Sequence, residues 1–141
     1  MGNQTIRLDN GTEYSGELKD NQPHGQGSLV DANGNRYEGE FREGKMDGQG
    51  TLTQIDGLAY SGEFKENMFH GKGCLTQPNN CRYEGEFVNN RFHGLGRLVQ
   101  ADGSKWEGEF NQGEISGLGT ITMPNGQELP GRFVKGKFEP T

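Results

Sequence analysis

The chain has 141 residues, of which 28% are hydrophobic, 24% are charged and 25 are glycine. So few apolar residues cannot build a large globular core, and the formal charge of −6 repels the phosphates of nucleic acids and anionic lipids. Disorder is also excluded, because the eight Phe, four Tyr and one Trp recur at regular intervals, whereas disordered chains lack aromatic residues. This composition indicates many short strands.

In chain order, a capping segment over residues 1–13 is followed by one unit repeated five times. An aromatic residue opens each unit 23 residues after the last, at Tyr14, Tyr37, Tyr60, Tyr83 and Trp106. Glycine follows two residues later, a bulky apolar residue follows after four, and a block of the form Gly-x-Gly-x-Leu or Ile completes each unit. Leu129 begins an incomplete sixth unit, so residues 129–141 are predicted to form the second cap. A constant period of this kind predicts a repeat array, here one domain over residues 1–141.

Each unit has the pattern of a β-hairpin. Residues 37–41, Tyr-Glu-Gly-Glu-Phe, alternate apolar with charged side chains, and residues 48–52 alternate likewise, as expected of strands with one protected face. Pairs such as Asp56-Gly57 lie between units and tolerate the positive φ of tight turns, while Glu43-Gly44-Lys45 supplies the opposite turn. We therefore predict an all-β fold, an elongated single-layer antiparallel sheet of ten or so strands with almost no helix.

The alternation also predicts two unlike faces. Tyr37, Phe41 and Leu52 share one face with the glycines of the unit, whereas Glu38 and Glu40 lie on the other. Glycine normally weakens a strand, but here it leaves room for rings to lie flat and for the sheet to coil. We expect each ring to pack over glycine.

Residues 37–41, then Gly44, then residues 48–52 (Gly-Gln-Gly-Thr-Leu) resemble the MORN (membrane occupation and recognition nexus) repeat, and four more units agree. The resemblance covers essentially the whole chain. It implies a rod-like or curved single-layer sheet whose aromatic face forms a groove that binds protein segments or self-associates. Lipid binding is a weaker implication. The last unit departs from the pattern, and its Pro130 is predicted to discourage further strand addition.

Catalytic and metal chemistry are not indicated. His24, His70 and His93 occupy one repeat position, but equivalent residues would lie two strands apart, about 9.6 Å, whereas the ligands of one zinc lie within about 4 Å of each other. We predict a structural role beside the turns, no cofactor and no enzymatic activity. Cys74 and Cys81 lack CxxC spacing and fit a reducing compartment, which predicts a cytoplasmic location.

A single sheet with rings on one face and no helix to cover them should leave apolar surface open. We predict that a protein or peptide segment docks there, because aromatic side chains dominate binding energy at interfaces. The predicted partner-binding residues are Tyr14, Tyr37, Phe41, Tyr60, Phe64, Tyr83, Phe87, Trp106 and Phe110. A rim that selects cationic partners is predicted at Glu40, Glu63, Glu86 and Glu109.

The sequence also allows other interpretations. The glutamate column, which is the repeat position of Glu40, Glu63, Glu86 and Glu109, also fits a solvated face that keeps the protein soluble. This is the favoured interpretation of those four side chains. Two aromatic faces or two end strands can meet across a two-fold axis, which would make the protein a homodimeric spacer. Peripheral binding to phosphoinositide membranes is disfavoured by the −6 charge and by the lack of a lysine-rich cluster.

Overall fold

The computed structural model describes residues 4–141, which form thirteen β-strands and one short 3-10 turn, Asp9–Gly11. Within this part of the chain no helix is long and apolar enough to cross a membrane. The strands are β1 Gln4–Arg7, β2 Glu13–Lys19, β3 Gln22–Val30, β4 Arg36–Arg42, β5 Lys45–Thr53, β6 Ala59–Lys65, β7 Met68–Thr76, β8 Arg82–Val88, β9 Arg91–Val99, β10 Lys105–Asn111, β11 Glu114–Thr122, β12 Glu128–Val134 and β13 Lys137–Pro140.

All thirteen strands belong to one sheet, in which each strand pairs antiparallel with its neighbours in sequence. The predicted single-layer antiparallel sheet of hairpin repeats is therefore confirmed. We number the hairpins one to six, from β2–β3 to β12–β13. The strands beyond the predicted ten or so come from the two segments expected to act as caps, since β1 lies in the first and β12–β13 fill the second. Residues 1–3 of the first cap lie outside the described residues.

The sheet continues past Pro130, so the prediction that this residue discourages further strand addition is wrong. Pro130 stands opposite Thr120 of β11, and β12 goes on to pair with β13 through Gly131 and Pro140. Proline lacks only the backbone donor. Its carbonyl can still accept, and here it does so from the Thr141 N–H at 3.2 Å.

A β-bulge interrupts the alternation within each of the first five hairpins. In hairpin two Gly39 stands opposite Gly50 and Phe41 opposite Met46, so Glu40 faces the whole of residues 47–49. Bulges bend a strand and increase its twist. Their recurrence at one position therefore bends the sheet in the same sense at every repeat.

The rings and the glycines pack as predicted. Tyr37 is buried, and a Cβ added at Gly50 would lie 2.3 Å from its hydroxyl oxygen. Tyr60 stands in the same relation to Gly73, and Tyr83 to Gly96. Neighbouring rings then meet edge to face, because Tyr37, Tyr60 and Tyr83 each contact the phenylalanine of their own hairpin and that of the next. For Tyr37 the ring centroids are 5.1 Å from Phe41 and 4.9 Å from Phe64.

Candidate functional site

The structure gathers the predicted partner-binding residues into one continuous row, but it buries most of them. The four tyrosines are 0–1% exposed, and the phenylalanines at positions 41, 64, 87 and 110 are at most 4% exposed. Trp106 alone of the nine is partly exposed. The expectation of an open aromatic groove is therefore wrong for the other eight, because coiling of the sheet brings successive rings into contact with one another.

A second layer of side chains covers the tyrosines. Phe69 stacks on Tyr60 with ring centroids 4.0 Å apart, and Phe92 stacks on Tyr83 at 3.9 Å. Met46 is the equivalent residue of hairpin two and packs against the same core. We call Met46, Phe69 and Phe92 the outer ring layer. Because these three side chains are only partly buried, they form part of the apolar surface that the aromatic face offers to a partner.

The sequence carries a signal for this layer, although the aromatic and glycine motifs do not include it. The position recurs every 23 residues, two residues before the second glycine block, but its residue type varies from repeat to repeat. Its members are Pro23, Met46, Phe69, Phe92, Ile115 and Phe138. Aligning apolar character instead of aromatic identity would have found it.

The tyrosine hydroxyls hold the bulges in place. Each donates to the backbone carbonyl of the glutamate three residues later, at 2.8 Å from Tyr37 to Glu40 and 2.7 Å from Tyr60 to Glu63. Burial raises the pKa of Tyr60 to about 12, and the nearby Glu63 carboxylate adds to the rise. These phenols are therefore neutral structural donors across the ordinary pH range.

Two of the four predicted rim residues have a structural role. The carboxylates of Glu40 and Glu63 accept hydrogen bonds from the backbone N–H groups of Gln49 and Lys72, at 2.6 and 2.7 Å. Glu17 does the same for hairpin one. These carboxylates satisfy bulge donors that the sheet ladder leaves free, which gives them a structural role beside the predicted one at a binding rim.

Glu86 and Glu109, by contrast, remain available. Both side chains are exposed, and neither makes a hydrogen bond or an ion pair to any other residue in the described range 4–141. Within the described residues, the glutamates of hairpins one to three therefore accept a backbone hydrogen bond, and those of hairpins four and five do not. Glu86 still lies against Gly94, since a Cβ there would be 2.9 Å from its Oε2, whereas Glu109 does not approach Gly117.

The repeat position of His24, His70 and His93 lies beside the turns. His24 Nδ1 accepts from the Glu43 N–H at 3.4 Å, and Asp47, at the same repeat position, accepts from the Glu66 N–H at 3.3 Å. His70 Nδ1 is buried without a hydrogen-bond partner among residues 4–141. Over the same residues, no group of three His, Cys, Asp or Glu side chains is placed to hold a metal ion.

The face opposite the rings differs along the molecule. In hairpins one and two it forms a polar groove of about 650 Å³ lined by Ser15, Ser28, Arg36, Glu38, Thr51 and Thr53, among other residues. Further along, the lining of a second groove contains Leu95 together with Glu84, Arg97 and Glu107. We call this side of the sheet the polar face.

Stacked hairpins that share one ring row and one glycine column define a β-hairpin repeat module. The family model of the MORN repeat matches residues 14–36, 37–59, 60–82, 83–105 and 106–128, so the chain belongs to the MORN repeat family. This confirms the resemblance found in the sequence. The family is generally non-enzymatic, and its repeats form protein-binding modules.

Two further comparisons add little. No curated protein matches the chain. A similar solved structure is the SAS-4 (dCPAP) TCP domain of Drosophila melanogaster in complex with a proline-rich motif of Ana2 (dSTIL). It is 18% identical, the match covers 92% of this chain and 83% of that chain, and the TM-score is 0.40. A likeness this distant carries no inference about function.

Proposed function

We propose that the chain is a non-enzymatic scaffold that docks a segment of a partner protein along its aromatic face. The observation that carries the proposal is the outer ring layer, in which partly exposed Phe69 and Phe92 are each stacked on a fully buried tyrosine. Membership of the MORN repeat family supports a protein partner.

Stacking makes these two phenylalanines suitable anchors for binding. Phe69 is held between the Tyr60 ring, 4.0 Å away, and the edge of Phe87, 5.8 Å away between centroids. A side chain already fixed by its neighbours loses little conformational entropy when a partner covers it. The buried tyrosines then act as the foundation of the site and do not themselves contact the partner.

The proposal is tested with peptides selected from a displayed random linear library on the immobilised protein. The double variant F69M/F92M places at both positions the methionine that hairpin two already carries at residue 46. It should stay folded yet bind the selected peptide roughly fivefold to tenfold more weakly, measured by isothermal titration calorimetry. I55Q is the matched control, because Ile55 is 71% exposed but lies at a turn. Unchanged affinity in F69M/F92M would refute the proposal.

Self-association is the second candidate function. β1 and β13 each pair on one side only within residues 4–141, so the sheet presents two edges with unpaired backbone groups. Equilibrium sedimentation over a concentration series tests this candidate, and a monodisperse monomer at high concentration would remove it. The cytoplasmic location stays a prediction, which imaging of a tagged chain can test.

A further inference from the structure

The polar face carries two exposed leucines in its second half. Leu95 in β9 is 71% exposed and Leu118 in β11 is 69% exposed. They occupy one repeat position, at which hairpins one to three have Gln26, Gln49 and Lys72. Only hairpins four and five therefore expose a large apolar side chain at a position that is otherwise polar.

The two leucines point to the same side. A Cβ at Gly96 would meet Tyr83 and one at Gly119 would meet Phe133, so both glycines face the rings and the residues before them face away. β10 lies between the two leucine strands, and its Glu109 stands directly opposite Leu95. Two strand steps separate the leucines by about 9.6 Å.

The free carboxylate of Glu109 follows from a change in the repeat. Trp106 replaces the tyrosine of hairpin five and has no hydroxyl to donate to the Glu109 carbonyl. In hairpin three a Cβ at Gly71 would lie 2.5 Å from Glu63 Oε2, whereas one at Gly117 would meet nothing within 4 Å. The Glu109 carboxylate therefore does not lie against the facing glycine of its hairpin, as the Glu63 carboxylate does.

Charge complementarity identifies the occupant. We define the leucine patch as Leu95 and Leu118 with Glu86 and Glu109, and these two carboxylates have no internal partner within residues 4–141. The neighbouring Arg97 is already paired with Glu107 at 3.6 Å. An apolar surface interleaved with free anions attracts apolar side chains interleaved with cations.

We propose that the leucine patch binds a cationic amphipathic helix of a partner protein, independently of the aromatic face. Apolar residues at i and i+7 of a helix are about 10.5 Å apart, which matches the spacing of the leucines, and a lysine at i+3 or i+4 would stand over Glu109. Arg132 of β12 lies opposite Leu118, on the side away from β10, and repels a basic residue there. Further basic residues of the helix should therefore lie toward Glu86.

The probe is a synthetic helical peptide of leucine and lysine, compared with a twin in which glutamate replaces lysine. The test variant L95Q/L118Q installs the glutamine of hairpins one and two and so retains a side chain that the fold accepts. The control Q26L/Q49L creates two leucines at the same repeat position where Glu17 and Glu40 are held by the backbone.

The basic peptide should bind the wild-type chain, and L95Q/L118Q should weaken binding at least roughly tenfold. E109Q should weaken it less and reduce its salt dependence. Q26L/Q49L should bind as wild type does, and F69M/F92M should also leave this affinity unchanged, which separates the patch from the aromatic site. Equal binding of the acidic twin, or equal affinity in L95Q/L118Q, would overturn the proposal. So would sedimentation that showed the leucines joining two copies of the chain without binding the peptide.

Discussion

Hairpins one to three and hairpins four and five share the same strand pairing but differ at the bulge, where Glu86 and Glu109 stand opposite His93 and Ser116. In the first group Glu17, Glu40 and Glu63 each close a bulge through the backbone N–H of the residue at the variable position. In the second group that variable residue is leucine, and no such hydrogen bond forms at Glu86 or Glu109 in the described chain. The fold therefore forms both with and without this hydrogen bond. The variable position can for that reason carry a side chain that binds a partner.

The largest effect should come from the ring row itself. Tyr60 is fully buried in hairpin three, so Tyr60→Ala should cost about 3–5 kcal/mol of unfolding free energy. Trp106 is the equivalent residue of hairpin five and is only partly buried, so Trp106→Ala should cost about 1.5–3 kcal/mol. Urea denaturation followed by circular dichroism measures both. Equal losses would show that the two groups of hairpins pack alike.

Two glycines at one repeat position test the same difference between the two groups of hairpins. A Cβ at Gly62 would lie 2.5 Å from the Gly73 Cα, a backbone atom that cannot yield, so Gly62→Ala should destabilise by about 1–3 kcal/mol. A Cβ at its counterpart Gly108 would meet the end of the Ile115 side chain at 3.2 Å, and the nearest backbone atom is the Leu118 carbonyl oxygen at 3.4 Å. Gly108→Ala should therefore cost less than about 1 kcal/mol. Thermal denaturation of both variants tests this, and a larger loss from Gly108→Ala would contradict it.

This much of the molecule was predictable from the sequence. The fixed period of the ring and glycine columns specified the hairpins, their pairing and the ring-over-glycine packing. Strict alternation could not reveal the bulge opposite Glu40, because a bulge inserts residues without changing their type. The sequence therefore placed Glu40 and Glu109 in one class, whereas the geometry separates them. The outer ring layer was missed because Met46 and Phe69 share apolar character but not identity.

Alkaline pH should destabilise the hairpins that contain a buried tyrosine. Burial raises the pKa of Tyr60 and Tyr83 to about 12 from an ordinary value of 10.0. Because the folded-state pKa is the higher one, this stability is fully present below about pH 10 and is lost as the pH rises toward about 12. Melting temperatures measured across that interval should fall, and the fall should be smaller in Tyr83→Phe. An unchanged slope in that variant would mean that the phenol does not titrate with unfolding.

The smallest effect separates the two kinds of glutamate. Glu63 accepts from the Lys72 N–H at 2.7 Å, and an amide oxygen can still accept that bond but without the help of a charge. Glu63→Gln should therefore cost only about 0.5–1 kcal/mol and speed hydrogen exchange at the Lys72 amide. Glu109 makes no such bond within residues 4–141, so Glu109→Gln should change stability by less than about 0.5 kcal/mol. Exchange measured residue by residue by NMR distinguishes them. If Glu109→Gln instead speeded exchange at the Leu118 amide, its carboxylate would be closing a bulge in solution, and hairpin five would behave as hairpin three does.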